Sequence, residues 1–302
     1  MSALNASMNA MKILKDPGEI ERLIKENHEL KKQITGGGAS TSYIIPYEDL
    51  DVQDQIGGGG FSLVYRGFWK GTPVAIKKWF DPQQSEAMVQ EFREEVMTLA
   101  DLRHPNVMQF LGACMKPPHL CMVTEHMPFS LFHVLYQAGV DLDRKKIVSL
   151  SQDMARAFVY LHSRRPPVVH RDIKPANFLV DRAWKVKVCD FGLASNSKSQ
   201  AGHGTPQYMA PELWEGLPYN EKVDVYAFGI MLNELITKTP PWTGTSLPDM
   251  KANVLAGKRP DMALSCPKVL CDLIKRCWDQ SSSLRPSFLQ VLDALKEAAK
   301  SV

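Results

Sequence analysis

Apolar and polar positions alternate in the stretch that begins near Tyr43, as they do in strands with one buried face. The segment LDVQDQIGGGGFSLVYRGFWKGTPVAIKKWF predicts a strand, a glycine turn, a second strand, a tight turn at Lys70–Gly71 and a third strand. Helical spacing of Met88, Phe92 and the apolar residues after them predicts a helix over 85–102, and LCMVTEHM predicts another strand. This region therefore predicts a small antiparallel sheet with one main helix.

The rest of the chain is patterned mostly as helices. KVDVYAFGIMLNELI is apolar almost all round, as expected of a buried central helix. PKVLCDLIKRCW and SFLQVLDALKEAAK predict two closing helices, and an earlier amphipathic helix is marked by Ile147, Leu150, Met154, Phe158 and Leu161. The predicted fold class is α+β, with the small sheet followed by a larger helical part.

The N-terminal region has a different pattern. Residues 1–16 are expected to be flexible, 17–35 to form an amphipathic helix and 36–42 to be a glycine-rich linker. Asp16 can cap the helix, and Glu19 completes a capping box. Three interpretations of this helix stay open: docking onto the small sheet, a parallel homodimer and disorder.

The homodimer interpretation rests on a heptad pattern. Position a is taken by Ile13, Ile20, Asn27 and Ile34, while Leu23 and Leu30 take position d. An asparagine at one a position is typical of a two-stranded coiled coil with a defined register.

Composition narrows the class of protein. Of the 302 residues, 44% are hydrophobic and 23% are charged, and the net charge is only +3, so no nucleic-acid partner is predicted. No apolar run reaches the roughly 20 residues of a membrane span, and the N-terminus lacks the pattern of a signal peptide. None of the six cysteines forms a CxxC pair, which favours a reduced, cytoplasmic setting over a zinc or disulfide framework.

The glycine run GGGG at 57–60 acquires a meaning from the motifs on its C-terminal side. Glycines let backbone N–H groups approach phosphate oxygens, but a glycine turn between two strands is usually only a hairpin. An ordered series lies downstream: VAIK ending at Lys77, Glu95 in EFREEV, HRDIKPAN with Asp172 and Asn177, DFG from Asp190, and APE ending at Glu212. In this order and spacing, the series resembles the signature of the eukaryotic protein kinase catalytic domain over about residues 43–300.

This resemblance implies a bilobal protein-kinase fold over 43–302. The N-lobe is expected over about 43–123, the hinge over 124–128 and the C-lobe over 129–300. ATP and Mg²⁺, with Mn²⁺ as a substitute, are the implied cofactors, and protein substrates are the implied partners.

The resemblance also implies site residues. Asp172 would accept the proton of the substrate hydroxyl, Lys174 would reach the transferring phosphate, and Lys77 would hold the α/β-phosphates while paired with Glu95. Metal binding is implied for Asn177 and Asp190. Nucleotide binding is implied for Ile56, Gly57, Gly59, Val64, Ala75, Lys77, Thr124, Glu125, Met127 and Leu179.

Two positions depart from the pattern of the family. Ser62 stands where the third glycine of the loop is usual, and Phe129, after the hinge, stands where small polar residues are usual. Weaker nucleotide binding and an unusual pocket mouth are the respective expectations.

Further residues are implied in structural roles. His170 is expected to pack against Phe191, and Asp224 to anchor the catalytic loop. An ion pair is expected between Glu212 and Arg285. Cys189 is either a small packing residue or an alkylation-sensitive thiol.

Lys174 and Thr205 resemble serine/threonine kinases, whereas HPNVMQFLGAC and CWDQSSSLRPSF resemble the tyrosine-kinase-like group, nearest its Raf-like and mixed-lineage members. The expected function is transfer of the ATP γ-phosphate to serine or threonine in intracellular signalling, with a kinase-kinase-kinase role by analogy. Two alternatives are a pseudokinase scaffold and a helix-mediated interaction module. The scaffold is disfavoured because Lys77, Asp172 and Asp190 are all present.

Overall fold

A computed structural model describes residues 43–59, 62–79, 86–116, 118–194, 204–263 and 266–301. The predicted N-terminal helix and linker lie outside these residues, and the interpretations of the helix therefore stay predictions. The described part has the predicted α+β architecture, with a sheet-rich N-lobe and a helical C-lobe.

The N-lobe sheet has five antiparallel strands in the order β1-β2-β3-β5-β4. The strands are β1 (Leu50–Gly59), β2 (Ser62–Trp69), β3 (Thr72–Trp79), β4 (Phe110–Cys114) and β5 (Cys121–Glu125), and helix α1 (Glu86–Ala100) lies between β3 and β4. Lys70 and Gly71 join β2 to β3 with φ angles of 47° and 81°. Two positive φ values are what a two-residue type I′ turn requires, so the predicted turn is confirmed.

Strand β4 was not predicted, because almost every residue in it is buried and no apolar–polar alternation marks it. The segment before β1 packs along this strand: the Ile45 N–H donates to the Ala113 carbonyl (3.0 Å), and the Ala113 N–H donates to the Tyr43 carbonyl (2.8 Å). A Cβ on Gly112 would lie 2.5 Å from the Tyr43 oxygen, so only glycine permits this approach. Residues 43–49 therefore belong to the fold.

The C-lobe is built around α3 (Arg144–Ser163) and α5 (Lys222–Thr237). Its other helices in the described residues are α2 (Leu131–Tyr136), α4 (Pro211–Trp214), α6 (Leu247–Leu255), α7 (Lys268–Cys277) and α8 (Phe288–Ala298). A small antiparallel sheet, β6 (Phe129–Ser130), β7 (Phe178–Val180) and β8 (Val186–Val188), lies below the N-lobe sheet in the order β6-β7-β8. Among the described residues, no helix is long and apolar enough to cross a membrane.

Helix α5 is the buried centre that its uniform apolar pattern predicted. It touches the end of α7 at Gly229, where an added Cβ would lie 2.8 Å from the Cys277 Cβ and 3.2 Å from the Trp278 backbone nitrogen.

Gly229→Ala should therefore lower the free energy of unfolding by about 1–3 kcal/mol, because the methyl group overpacks this helix contact. Alanine normally stabilises a helix interior by up to about 1 kcal/mol relative to glycine. The two effects have opposite signs, so urea unfolding that shows equal or higher stability would contradict the close packing.

Candidate active site

Lys77, on β3, bridges two carboxylates from distant parts of the chain. Its Nζ lies 2.8 Å from Glu95 Oε1 on α1 and 3.0 Å from Asp190 Oδ1, two residues after β8. The side chains of Lys77 and Glu95 are 18% and 5% exposed, so their pair is shielded from solvent. The contact holds α1 and the segment after β8 against the N-lobe sheet.

The opposite charges of Lys77 and Asp190 stabilise each other's ionised form. Burial alone would lower the pKa of Lys77, but the carboxylates of Glu95 and Asp190 outweigh it and raise that pKa above its usual value of 10.5. Burial would likewise raise the pKa of Asp190, but Lys77 holds it below its usual value of 3.8. Both Lys77 and Asp190 are therefore ionised at neutral pH.

A buried aspartate at the start of α5 shapes the loop between α3 and β7. Asp224 is fully buried and accepts the backbone N–H groups of His170 (2.9 Å) and Arg171 (2.8 Å). These bonds hold Arg171 in the left-handed region, at a φ of 68°. The predicted anchoring role of Asp224 is confirmed.

That loop presents Asp172 at the centre of a polar network. Its Oδ2 lies 2.7 Å from Lys174 Nζ and accepts from Asn177 Nδ2 (2.9 Å), while its Oδ1 accepts from the Thr205 hydroxyl (2.6 Å). Lys174 also donates to the Thr205 hydroxyl (2.8 Å). In the sequence, Thr205 served only to indicate the class of kinase, and it lies 33 positions from Asp172, too far for a periodic pattern to predict the contact.

Asn177 and Asp190 are brought close through the backbone. The Cys189 N–H donates to the Asn177 carbonyl (2.9 Å), and both side-chain hydrogen bonds of Asn177 use Nδ2, so Oδ1 is the atom it would offer a metal ion. No group of three or more His, Cys, Asp or Glu side chains within the described ranges could hold a metal. An oxygen pair fits Mg²⁺, which is usually held by one or two protein ligands together with substrate phosphates.

His170 is packed, as predicted. Its Nδ1 accepts the Asp172 N–H (3.3 Å), so Nε2 donates to the Cys189 carbonyl (2.9 Å), and its ring meets Phe191 edge-on at 5.2 Å. These bonds select one neutral tautomer. Burial raises the pKa of the neighbouring Cys189 thiol, which favours the packing interpretation of that cysteine over a reactive thiolate.

Residues 50–295 match the family model described as protein tyrosine and serine/threonine kinase. The chain belongs to this protein kinase family. The predicted membership of the protein kinase family is thereby confirmed. The similarity of the chain to two serine/threonine kinases of Arabidopsis thaliana, SIS8 and CTR1, supports its placement in the tyrosine-kinase-like, Raf-like group.

The kinase is similar to several curated serine/threonine kinases. It is 41% identical over 268 residues to the probable serine/threonine-protein kinase SIS8 of Arabidopsis thaliana, covering 85% of this chain and 26% of SIS8. Identity to the serine/threonine-protein kinase CTR1 of the same plant is 40% over 268 residues, covering 85% of this chain and 32% of CTR1. The probable serine/threonine-protein kinase drkD of Dictyostelium discoideum is 38% identical over 256 residues, which is 83% of this chain and 20% of drkD. The chain thus spans a third or less of the length of these three relatives.

The predicted nucleotide residues of the kinase lie on both lobes. Gly57 pairs with Val64 and Gly59 with Ser62 at the β1–β2 hairpin, whose tip at 60–61 lies outside the described residues. Ile56 is half-exposed on β1. Ala75 is expected above the adenine, in the roof of the site, and pairs with Thr124. Leu179 is expected below the adenine, in the floor of the site, and pairs with Ser130.

Glu125 is held by its side chain as well as its backbone. Strand β5 continues to this residue, so the first two residues of the predicted hinge are still in the sheet. The carboxylate accepts from Lys187 Nζ (2.6 and 2.7 Å) and from the Gln109 N–H (2.7 Å). The Glu125 N–H also donates to the Gln109 carbonyl (3.0 Å), so the Glu125 carbonyl oxygen is the group it would offer a nucleotide.

The predicted ion pair of the C-lobe is confirmed. Arg285 is fully buried and binds both carboxylate oxygens of Glu212, at 2.6 and 2.9 Å. It also donates to the carbonyl oxygens of Lys222, Asp279 and Gln280. The pair attaches the segment around α4 to the lower helices.

Besides Asp224, a second buried carboxylate lies on α5, and the sequence analysis did not predict it. Glu234 on α5 is 2% exposed and accepts from the hydroxyls of Tyr136 (2.5 Å) and Tyr208 (2.8 Å). Burial raises the pKa of Glu234 despite these two donors. Tyr208 ends the 3-10 turn Pro206–Tyr208 that comes after Thr205, so Glu234 fixes the segment that reaches Asp172.

The serines of the segment after the DFG motif (Ser195, Ser197 and Ser199) are expected acceptors of a phosphate, and Arg171 is its expected partner because a phosphate and a guanidinium form strong charge-assisted hydrogen bonds. The Arg171 guanidinium donates to the Leu193 carbonyl and to the Tyr219 hydroxyl (2.9 Å). The three serines lie outside the described residues, so phosphorylation there stays a prediction.

Proposed function

We propose that this chain transfers the γ-phosphate of ATP to serine or threonine hydroxyls of protein substrates. The observation that carries the proposal is the position of Lys77, whose ammonium group contacts Glu95 and Asp190 at once. Phosphoryl transfer depends mainly on the positioning of the reacting groups and on charge neutralisation. This contact serves both, because it brings together charged groups from β3, from α1 and from the segment after β8.

The phosphate end of the site would be formed by Lys77, Asn177 and Asp190. ATP supplies the phosphoryl group when it is bound, and Mg²⁺, or Mn²⁺ in its place, neutralises phosphate charge. Lys77 would hold the α/β-phosphates, and the ionised Asp190 and Asn177 Oδ1 would hold the metal. Glu95 would keep Lys77 oriented.

The acceptor end would be formed by Asp172, Lys174 and Thr205. The Thr205 hydroxyl already donates to Asp172 Oδ1, which shows that this oxygen can accept from a hydroxyl. A substrate hydroxyl that donates to the same carboxylate would lose its proton to it. Lys174, 2.7 Å from Asp172 Oδ2, would neutralise charge on the transferring phosphate.

The adenine would lie between the roof residues Val64 and Ala75 and the floor residue Leu179, which are all partly buried. Main-chain groups of Glu125 and Met127 would contact its edge, with Thr124 at the gatekeeper position. Ile56, Gly57 and Gly59 would cover the nucleotide from β1.

Serine and threonine are the proposed acceptors because the relatives carry that specificity in their names. A cytoplasmic location is proposed because all six cysteines are free thiols. A role in phosphorylating other kinases, and a homodimer through 17–35, stay predictions.

The test is transfer of labelled phosphate from Mg·ATP to casein or myelin basic protein, followed by phosphoamino-acid analysis. Label on serine or threonine is expected. Label on tyrosine alone would contradict the specificity, and absence of any transfer by protein that binds Mg·ATP would favour the scaffold alternative.

Tyr208→Phe should lower kcat by about tenfold, because it detaches the segment carrying Thr205 from Glu234. It should also lower the free energy of unfolding by about 1–3 kcal/mol, since a buried carboxylate oxygen loses its donor.

Tyr136→Phe is the matched control, because it removes the other donor to Glu234 but lies on α2. It should cost similar stability and leave kcat nearly unchanged. Equal kcat losses in the two variants would show that the effect is general destabilisation and not the positioning of Thr205.

A further inference from the structure

Trp79, the last residue of β3, contacts the ammonium group of Lys77. Side chains alternate between the two faces of a strand, so Trp79 and Lys77 lie on the same face of the sheet. Lys77 Nζ lies over the indole ring, 4.8 Å from the ring centroid. The Trp79 N–H donates to the Leu120 carbonyl (3.1 Å), which holds the end of the strand in place. The ring is therefore a fixed wall beside the ammonium group.

The same ring packs against α1. It meets the ring of Phe92 edge-on, with the centroids 4.9 Å apart and the planes at 69°. Phe92 is fully buried, and Glu95, three residues later, lies on the same side of the helix. Glu95 is the residue that binds Lys77 Nζ at 2.8 Å. Trp79 thus contacts both the lysine and the helix that carries the partner of the lysine.

The contact with Lys77 is attractive as well as steric. An ammonium group is attracted to the negative face of an aromatic ring, most strongly to tryptophan, and the attraction grows where water is excluded. The Lys77 side chain is only 18% exposed, and its ammonium group also donates to Glu95 and to Asp190. The indole ring, Glu95 and Asp190 therefore hold this group together.

Trp79 lies beside the phosphate end of the site and away from the adenine end. Ala75, the residue expected above the adenine, comes four positions before Trp79, which corresponds to about 13 Å along a strand. Lys77, which would hold the α/β-phosphates, lies between them on the same face. An aliphatic side chain at position 79 would still pack on Phe92 but would have no ring face to attract the ammonium group.

We propose that Trp79 is a positioning residue for the nucleotide phosphates. Its indole ring holds the Lys77 ammonium group where the α/β-phosphates of ATP bind, and it seats α1 through Phe92. The inference rests on the proposed function and deepens it, because Trp79 acts on the phosphates through Lys77. Loss of the ring should therefore weaken the binding of phosphates and leave the binding of the nucleoside unchanged.

Binding is measured by calorimetric titration of the full chain with Mg·ADP and with adenosine, which has no phosphate. Trp79→Leu should raise the Kd of Mg·ADP by about tenfold and leave the Kd of adenosine within about twofold of the wild type. Trp79→Phe keeps an aromatic face and should raise the Kd of Mg·ADP by about threefold or less. In the kinase assay, Trp79→Leu should raise KM for ATP and leave KM for myelin basic protein unchanged.

Trp184→Leu is the matched control. Lys146 lies over the ring of Trp184 at 4.7 Å, so the same kind of contact is removed at the start of α3, outside the site. Both Kd values should stay within about twofold of the wild type in this variant.

Three results would overturn the proposal. They are an equal rise of both Kd values in Trp79→Leu, no rise in either, and a loss in Trp79→Phe as large as that in Trp79→Leu. If Trp79→Leu does not fold, Trp79→Met makes the same comparison with a longer aliphatic side chain. Wild-type protein that binds neither ligand and transfers no phosphate would refute the proposed function itself, so the two failures are distinguishable.

Discussion

Asp190→Asn should lower kcat by about a thousandfold or more while the protein stays folded. The substitution removes the negative charge that Lys77 holds ionised and that the proposed metal ion needs. Stability should change little, because the Asp190 side chain is 47% exposed and Lys77 keeps its contact with Glu95. Steady-state phosphorylation of myelin basic protein and a thermal melt measure the two effects.

Asp172→Asn should cause a loss of similar size for a different reason, since it removes the proton acceptor and not the metal ligand. Asp141→Asn is the matched control, because this carboxylate is 86% exposed, pairs with Lys238 and lies outside the site. Wild-type turnover in Asp190→Asn would contradict the proposed mechanism, whatever Asp172→Asn does.

Arg285→Ala should have the largest effect on stability. The guanidinium is fully buried and binds Glu212 through two hydrogen bonds, so its removal leaves a shielded carboxylate without its partner. The free energy of unfolding should fall by about 3–5 kcal/mol. Urea unfolding monitored by tryptophan fluorescence measures this loss.

Two controls separate the ion pair from general effects of truncation. Arg276→Ala removes an exposed arginine from the last turn of α7 and should change stability by no more than about 0.5 kcal/mol. Replacing both partners, in Glu212→Gln/Arg285→Met, should cost less than Arg285→Ala alone, because no unpaired charge stays buried. If Arg285→Ala leaves stability unchanged, this pair does not hold the lobe together.

Much of the fold could be predicted from local pattern. The hairpin at Lys70–Gly71, helix α1 and the buried helix α5 follow from periodicity and turn chemistry, which depend on neighbouring residues. The short strands β6, β7 and β8 could not be found in this way, since two or three residues show no period. Strand β4 was missed because both of its faces are buried.

The candidate site, like the fold, could be predicted only in part from the sequence. Lys77, Glu95, Asp172, Asn177 and Asp190 could be chosen from the order of their motifs, but the resemblance carried no distances between them. Glu234 lies within a helix whose pattern is apolar all round, so nothing local shows that its carboxylate meets two tyrosines. The contact of Glu125 with Lys187, 62 residues apart, could not be predicted from the local sequence either.

By itself, the amino-acid sequence determined the strands β1, β2, β3 and β5, the long helices α1, α3, α5, α7 and α8, and which residue types the chemistry has available. Only the tertiary structure decided that Lys77 meets Glu95 and Asp190, that Thr205 lies on Asp172, and that Ser130 pairs with Leu179. The reason is physical: secondary structure follows from interactions a few residues apart, whereas these contacts join residues brought together only when the elements of each lobe pack and the two lobes meet.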